Sequence, residues 1–265
     1  MGDSLGILTL NLASPSVARA NGLLDWLATR DEEIFVLTET SSAQGSRVIA
    51  ERFFAAGWEV RFPLPSDGER GVVIASRVGL DAPSTNFTPV FGARAEHARL
   101  AGGSLQVIAL YVPSRDDSPE KTDRKQQFVD GAARAFSGRF VPSAVLAGDL
   151  NVVEPAHRPP RREFHDWEFG FYEQLRATGW EDAYRRLHPD SVEHSWVGPH
   201  EDGYRFDHIF VREELGARID ACAYDHEPRE RGLSDHSAMA IELRGIETEL
   251  LDVDRSLAGD QSALF

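Results

Sequence analysis

The segment AVLAGDLN, residues 144–151, decides what kind of protein this sequence encodes. Its first four residues form a short apolar run that is typical of a buried strand. Gly148 and two polar residues, Asp149 and Asn151, follow directly. A polar residue just past a strand is most often a turn former or a helix cap. The pattern recurs along this chain, however, and the whole set of polar residues at strand ends indicates a functional site.

Apolar runs rich in β-forming residues recur and predict nine strands. They lie at 6–12, 34–38, 59–62, 71–76, 105–111, 144–147, 204–211, 219–224 and 237–243. Helical periodicity predicts three helices, at 17–28, 119–136 and 168–178. Because the helices come at irregular intervals, the pattern favours sheets packed face to face with helices outside over a strict βαβ alternation.

The length and composition limit the number of domains that the chain can form. The chain has 265 residues, of which 42% are hydrophobic, so it can bury a large core. No linker rich in Pro, Gly or Ser divides it, and we predict one domain over residues 1–243. Acidic residues outnumber basic ones in residues 244–265, which we predict to be a flexible tail.

Charge and cysteine content exclude several classes of protein. The formal charge of −15 opposes bulk attraction of nucleic acid, so any phosphate group must be held locally. The single Cys222 excludes an intramolecular disulfide framework and a multi-cysteine zinc site, and it fits a reducing compartment. The sequence lacks a secretory leader and a long apolar run, so we expect a cytoplasmic protein with no membrane partner.

Polar residues at the strand ends form the candidate site. The set comprises Asn11, Glu39, Tyr111, Asp149, Asn151, Asp207, Asp235 and His236. Several carboxylates brought together would repel one another and protonate unless a cation neutralised them. Carboxylate and amide oxygens without thiolates suit a hard divalent ion, Mg²⁺ or Mn²⁺, better than zinc.

Six segments, in chain order, resemble the motifs of the endonuclease/exonuclease/phosphatase superfamily, the deoxyribonuclease I-like fold. They are TLN (9–11), LTE (37–39), YVPS (111–114), GDLN (148–151), RFDHI (205–209) and SDH (234–236). Six ordered motifs make chance a poor explanation. The resemblance implies an α+β fold, a four-layer α/β/β/α sandwich of two mixed sheets. Residues 171–196 are similar to the exonuclease III-like DNA-repair branch.

The same resemblance implies which residues hold the metal ion. Glu39 is expected to bind it, with Asn11 and Asp235 completing or supporting its oxygen shell. His236 is expected to contact the phosphate or the attacking water, and Asp235 is the nearest candidate for the carboxylate that fixes its tautomer.

Other residues are implied to act on the water and the phosphate. Asp149 is expected to contact or deprotonate the water, while Asn151 and Tyr111 donate hydrogen bonds to the scissile phosphate. Asp207 is expected to orient one of these groups from close by. The sequence leaves open whether Asp149 or His236 is the general base.

A basic loop, RPPRR at 158–162, follows the Asp149 strand. Its Arg158, Arg161 and Arg162 are the first candidates for a contact with a phosphate backbone. The next candidates are Arg115, Arg124 and Lys125.

The function that follows is a divalent-metal-dependent phosphodiester hydrolase, an exonuclease III-like DNA nuclease acting as an exonuclease or at abasic sites. The alternative is a phosphatase or phosphodiesterase for a small phosphate ester, nucleotide or RNA end, which the negative charge favours. A non-catalytic protein with a decayed site is a third reading, and the retention of all the expected polar residues counts against it.

The extreme C-terminus suggests a partner. QSALF, residues 261–265, resembles the bacterial sliding-clamp-binding peptide at Gln261, Leu264 and Phe265, although Ser262 departs from it. Such a tether would raise the local concentration of an acidic protein on DNA. We otherwise expect a monomer.

Overall fold

Two β-sheets pack face to face in the computed structural model of this chain, which describes residues 2–81, 91–103, 105–137 and 143–257. The described strands are β1 (Gly2–Asn11), β2 (Ile34–Thr40), β3 (Glu59–Arg61), β4 (Gly71–Ser76), β5 (Ala95–Arg99), β6 (Gln106–Leu110), β7 (Ala144–Asp149), β8 (Trp180–Asp182), β9 (Trp196–Val197), β10 (Gly203–Tyr204), β11 (Asp207–Arg212), β12 (Ile219–Asp225) and β13 (Ala238–Thr248). The described helices are α1 (Val17–Leu27), α2 (Gln44–Ala55), α3 (Pro119–Phe136), α4 (Asp166–Ala177), α5 (Ala183–Leu187), α6 (Glu213–Gly216) and α7 (Glu227–Glu230).

Both large sheets are mixed. The six-stranded sheet has the order β12-β13-β1-β2-β4-β3, and the five-stranded sheet has the order β5-β6-β7-β11-β8. Strand β1 is parallel to β2 and antiparallel to β13, while β7 is parallel to β6 and antiparallel to β11. The prediction of an α+β fold with two mixed sheets is therefore confirmed.

Side chains of the central strands alternate between two layers, as they must in extended chains. In β1, Leu5 and Ile7 pack in the core between the sheets, whereas Leu8 and Leu10 pack against α1 and α2. Strand β7 alternates in the same way, and its outer side chains pack against α3 and α4. The layers are thus helix, sheet, sheet and helix. Within the described ranges, none of the helices is long and apolar enough to cross a membrane.

The elements with strong apolar patterns were predicted best. Helix α3 begins and ends where its periodicity placed it, at Pro119 and Phe136. Helix α2 and strand β5 were not predicted. The buried face of α2 includes Gly45 and Ser46, and β5 is an edge strand with an exposed Arg99, so neither has a clear apolar period.

The C-terminal segment differs from the flexible tail expected from residue 244 onward. Strand β13 continues to Thr248, and Arg244 pairs with Ser4 of β1. Exposed charged residues between the buried ones hid this continuation. Leu257 is buried against α1 and α2, so the chain contacts the domain up to that point. The clamp-like residues Gln261, Leu264 and Phe265 lie outside the described residues.

Candidate active site

Asp149 and Asp207 lie opposite each other where two neighbouring strands of the five-stranded sheet, β7 and β11, end and begin. Asp149 ends β7, Asp207 begins β11, and the antiparallel register pairs the two residues. Val145, Ala147 and Ile209, on the same face of these strands, lie in the core between the sheets. The alternation of each strand therefore places both carboxylates at the end of that core, where they are buried.

His236 lies against this pair of carboxylates. Its Nδ1 atom donates to Asp207 Oδ2 at 2.7 Å, and ligand atoms of Asp149, Asp207 and His236 lie within 4.8 Å of one another. The expectation that Asp235 fixes the tautomer of His236 is therefore wrong. Asp235 Oδ2 instead accepts from Trp196 Nε1 at 3.1 Å.

Two asparagine side chains hold Asp149. Asn11 Nδ2 donates to Asp149 Oδ2 at 2.8 Å and to Glu39 Oε2 at 3.1 Å, so it joins carboxylates from the two sheets. Asn151 Nδ2 donates to Asp149 Oδ2 at 3.1 Å and to the Val112 carbonyl at 2.9 Å. The backbone N–H of Asn151 donates to Asp149 Oδ1 at 2.8 Å. The Asn151 amide, which was expected to donate to the scissile phosphate, is thus engaged within the protein.

The backbone is left-handed at two site residues. The φ angles of Glu39 and Asn151 are +53° and +48°, a conformation that costs a residue with a Cβ about 1–2 kcal/mol. At Glu39 the pairing of β2 with β4 shifts between Thr38 and Thr40, so this residue leaves the alternation of its strand. Strain of this kind persists where the surrounding structure enforces it, and it is concentrated at functional sites.

Burial and neighbouring charges shift the pKa values of the central groups. Burial raises the pKa of Asp149 to about 7, and the Asp207 carboxylate acts in the same direction. Burial by itself would lower the pKa of His236, but the charge of Asp207 and the hydrogen bond to it raise that pKa to about 9. Burial also raises the pKa of Tyr111, with Glu39 and Asp149 adding to the effect. At neutral pH the site therefore holds a cationic His236 and a protonated Tyr111.

The site residues line a single cleft of about 460 Å³. Six of those expected from the sequence reach its surface: Glu39, Tyr111, Asp149, Asn151, Asp235 and His236. Asn11 and Asp207 lie beneath them, hydrogen-bonded to Asp149 and His236 respectively. The structure thus brings all eight residues together.

Aromatic side chains form another part of the cleft wall, which the sequence did not reveal as a unit. Phe164, Trp196, Tyr204 and Phe206 line it, and the Tyr204 and Phe206 rings stack with their centroids 5.0 Å apart. They come from three separate segments, so no local motif marks them. An apolar, planar surface of this kind suits the sugar or base of a nucleotide.

Two of the arginines expected to bind substrate are paired within the protein. Arg115 lines the cleft, but its Nη2 atom donates to Glu168 Oε2 at 2.6 Å. Arg161 Nη2 donates to the Gly203 carbonyl at 2.7 Å, and its guanidinium lies 4.1 Å from the centroid of the Tyr204 ring. Arg161 therefore supports the aromatic wall.

The other two arginines of the basic loop, Arg158 and Arg162, are exposed. Arg158 lines a separate cavity of about 380 Å³, whose wall also includes Glu154 and Glu193. The structure does not bring Arg158 into the cleft of the catalytic residues.

A buried lysine at the wall of the cleft supports the Asp149–Asn151 segment. Lys125 Nζ donates to the Asn151 carbonyl at 2.6 Å and to Glu168 Oε1 at 2.5 Å. Both side chains are almost fully buried. The sequence carried a signal for this pair, because Lys125 lies on the same face of α3 as the buried Val129 and Ala132.

At the end of the two-sheet sandwich, a buried aspartate–histidine pair lies beside two amides and a carboxylate, a set of groups suited to the hydrolysis of a phosphate ester. The sequence model of the endonuclease/exonuclease/phosphatase family matches residues 8–236. The chain belongs to this family and is a hydrolase of phosphate ester bonds. No curated protein matches its sequence.

Solved structures show the same fold. An AP endonuclease from Archaeoglobus fulgidus is 26% identical, with a TM-score of 0.76 over 89% of this chain and 98% of that one. A 3′ phosphatase from Neisseria, bound to a product DNA hairpin, is 22% identical, with a TM-score of 0.76 over 90% and 99% of the two chains. An AP endonuclease from Leishmania major is 16% identical, with a TM-score of 0.71 over 91% and 88%.

Enzymes of this family use divalent metal ions, and the donors present fit such an ion. Among the described residues, Asp149, Asp207 and His236 place potential ligand atoms within 4.8 Å of one another, so two carboxylates are concentrated at one point. Asp207 Oδ1 is buried without a hydrogen-bond partner, and a cation would compensate its charge. Of the expected ligands, Glu39 reaches the cleft, whereas Asn11 Oδ1 accepts from the Ala13 N–H at 2.8 Å.

Proposed function

We propose that this protein is a nuclease of the exonuclease III type, which cleaves DNA as an exonuclease or at abasic sites with Mg²⁺ or Mn²⁺. The observation that carries the proposal is the convergence of Glu39, Asp149 and the Asp207–His236 pair in one open cleft with an aromatic wall. Hydrolysis of a phosphodiester needs an activated water and compensation of charge on the phosphate, and these groups can supply both.

Asp149 is the better candidate for the general base. Its pKa of about 7 lets it accept a proton near neutral pH. His236, with a pKa of about 9, is already protonated there and is suited to contact a phosphate oxygen as a cation. Tyr111 keeps its proton and lines the cleft, so it can donate a hydrogen bond to the same phosphate.

Glu39, which reaches the cleft, would hold the metal ion, with the buried Asp207 adding oxygen donors behind it, so that Asp149 stays available as the base. When bound, such an ion supplies positive charge to the phosphate and to the departing oxygen. Asn11 and Asn151 position the Asp149 carboxylate through the hydrogen bonds described above. Asp207 holds His236 in one orientation and stabilises its positive charge.

DNA is the substrate that the aromatic wall and the relatives support best. Stacking on aromatic side chains is a common means of holding a nucleotide that is not paired. The structural relative with 26% identity is an AP endonuclease.

A second candidate function is a phosphatase for a small phosphate ester. Asp116, Asp117 and Glu163 line the same cleft, and their charges oppose a long polyanion. The formal charge of −15 acts in the same direction.

The two functions are separated by assaying labelled duplex DNA with a blunt end, a recessed end or one abasic site, with Mg²⁺, Mn²⁺ or EDTA. Nucleotide monophosphates and DNA with a 3′ phosphate serve as monoester substrates. Cleavage of the duplex that is lost in EDTA supports the nuclease. Release of inorganic phosphate from monoesters, with intact duplex, supports the phosphatase.

A further inference from the structure

A cluster of arginines lies beside the cleft on the side of Glu39 and Tyr111. Glu69 is at its centre and forms ion pairs with Arg94, at 3.6 Å, and with Arg124. Arg70 is the next residue in the chain, and its Nε atom lies 3.7 Å from Glu39 Oε1. We name Arg70, Arg94 and Arg124 the Glu69 cluster. It places three guanidinium groups beside two carboxylates, Glu69 and Glu39, in a strongly acidic protein.

The members of the cluster differ in exposure. The Arg70 and Arg124 side chains are 37% and 49% exposed. Those of Arg115 and Arg161 are only 10% and 9% exposed, and their guanidinium groups are held by internal acceptors. A phosphate group in solution can therefore reach Arg70 and Arg124 far more easily than Arg115 and Arg161.

Arg94 fixes the cluster to the site. Its side chain is nearly buried, with the guanidinium carbon 4.8 Å from the centroid of the Tyr111 ring. Its Nε and Nη1 atoms are buried without hydrogen-bond partners. Because Tyr111 and Glu39 both line the cleft, the cluster borders directly on the cleft of the catalytic residues.

We propose that Arg70 and Arg124 bind the phosphodiester backbone of duplex DNA next to the scissile phosphate. This inference rests on the proposed nuclease function. It assigns the local phosphate contact that a nuclease with a net charge of −15 needs in order to bind DNA. The three guanidinium groups of the cluster face two carboxylates, Glu69 and Glu39, so the cluster retains an excess of positive charge. Guanidinium is well suited to phosphate recognition. Each neutralised phosphate releases counterions from DNA, so removing the arginine that neutralises it has a measurable salt signature.

The test measures binding of fluorescent duplex DNA by anisotropy in EDTA, over a series of NaCl concentrations. The variant R70Q/R124Q should bind more weakly. The slope of log K against log salt should become shallower by roughly 0.9 for each phosphate that the variant no longer neutralises, or about 2 in total. The variant R70K/R124K keeps the charges and should keep most of the slope.

The matched control is R218Q/R244Q, which removes two exposed arginines, one just before β12 and one within β13. It makes the same change in net charge and should leave the salt slope unaltered. Melting curves of all variants establish that they are folded. A wild-type slope in R70Q/R124Q would overturn the inference while leaving the nuclease proposal intact. A wild-type protein without measurable affinity for DNA at low salt would overturn both.

Discussion

Asp207 Oδ2 lies 2.7 Å from His236 Nδ1, so the partner of this histidine is 29 residues away and is not the adjacent Asp235. The contact exists because β11 begins at Asp207, and its first side chain points into the end of the core between the sheets. Asp207 is thereby removed from solvent, and its Oδ1 atom is buried without a hydrogen-bond partner. The pair holds His236 in one orientation and favours its cationic form.

Replacing Asp207 by Asn should therefore lower the pKa of His236. An opposite charge at hydrogen-bond distance shifts a pKa by about 1–3 units, and this one raises the pKa of His236 to about 9. The change can be followed by NMR titration of the His236 ring. Asp235→Asn is the matched control, and it should lower the pKa less because Asp235 is bonded to Trp196. An equal or larger shift in the control would contradict the assignment.

The pH dependence of activity should reflect both central groups. As a base, Asp149 must be deprotonated, so kcat/KM should rise as pH increases through about 7. Since His236 acts as a cation, the rate should fall as pH increases through about 9. Rates measured from pH 5 to 10 should give a bell-shaped profile, and a flat profile below pH 7 would exclude Asp149 as the base.

Asp149→Asn should abolish most activity without destabilising the protein. The loss of a general base typically costs a factor of about 10²–10⁴ in rate. Burial raises the pKa of Asp149 above its unfolded value, so the ionised form opposes folding as pH rises from about 4 through about 7. The neutral Asn avoids this penalty. At pH 8 the melting temperature of the variant should equal or exceed that of the wild type, and a marked decrease would show that the carboxylate has a structural role.

The chemistry of the site was predictable because its residues lie at the ends of apolar strands, where short motifs can be found in the sequence. The alternation of β7 and β11 also explains why Asp149 and Asp207 meet. The carboxylate that accepts the hydrogen bond from His236 Nδ1 was not predictable, since it depends on which strand of the sheet faces the histidine. A carboxylate adjacent in the sequence was a misleading guide.

The role of the arginines could not be predicted for a similar reason. Arg115 and Arg161 occur in basic, loop-like sequence, but their ion pairs with Glu168 and Asp202 bridge segments 53 and 41 residues apart. Only the tertiary structure shows that these groups are held internally. The C-terminal half of β13 was missed because its exposed charges are visible in the sequence, while the partner strand that buries the other side is not.

Arg205→Met should destabilise the protein strongly. Arg205 is fully buried and donates to Glu154 and Asp182, and removing one partner from a buried ionic network costs about 3–5 kcal/mol. Urea unfolding at pH 7 measures this change. Arg218→Met, at an exposed position, is the control and should alter stability little.

The same network should also make the free energy of unfolding depend on pH in the acid range. Burial by itself would raise the pKa of Glu154, but hydrogen bonds and charges from Arg185 and Arg205 lower it to about 2. A carboxylate with a lowered pKa stabilises the fold above its unfolded pKa, about 4.5, and this contribution is lost as pH falls toward 2. In Glu154→Gln, the free energy of unfolding should therefore change less between pH 5 and pH 3 than in the wild type. Equal pH dependence in both proteins would rule out this role for Glu154.

Lys125→Met should reduce activity although Lys125 is not one of the groups that act on the phosphate or the water. Lys125 Nζ donates to the Asn151 carbonyl and to Glu168. Its loss should loosen the Asp149–Asn151 segment and leave Arg115 as the cation that pairs with Glu168. We expect a loss of about 1–3 kcal/mol in stability and a lower kcat. The double variant Lys125→Met with Glu168→Met removes both buried charges, so it should regain part of the stability. Its kcat should stay low, because the Asn151 carbonyl still lacks its donor. Lys121→Met, on the exposed face of α3, is the control and should change neither property by much. If the double variant regained kcat together with stability, Lys125 would contribute to stability alone and would not position Asn151.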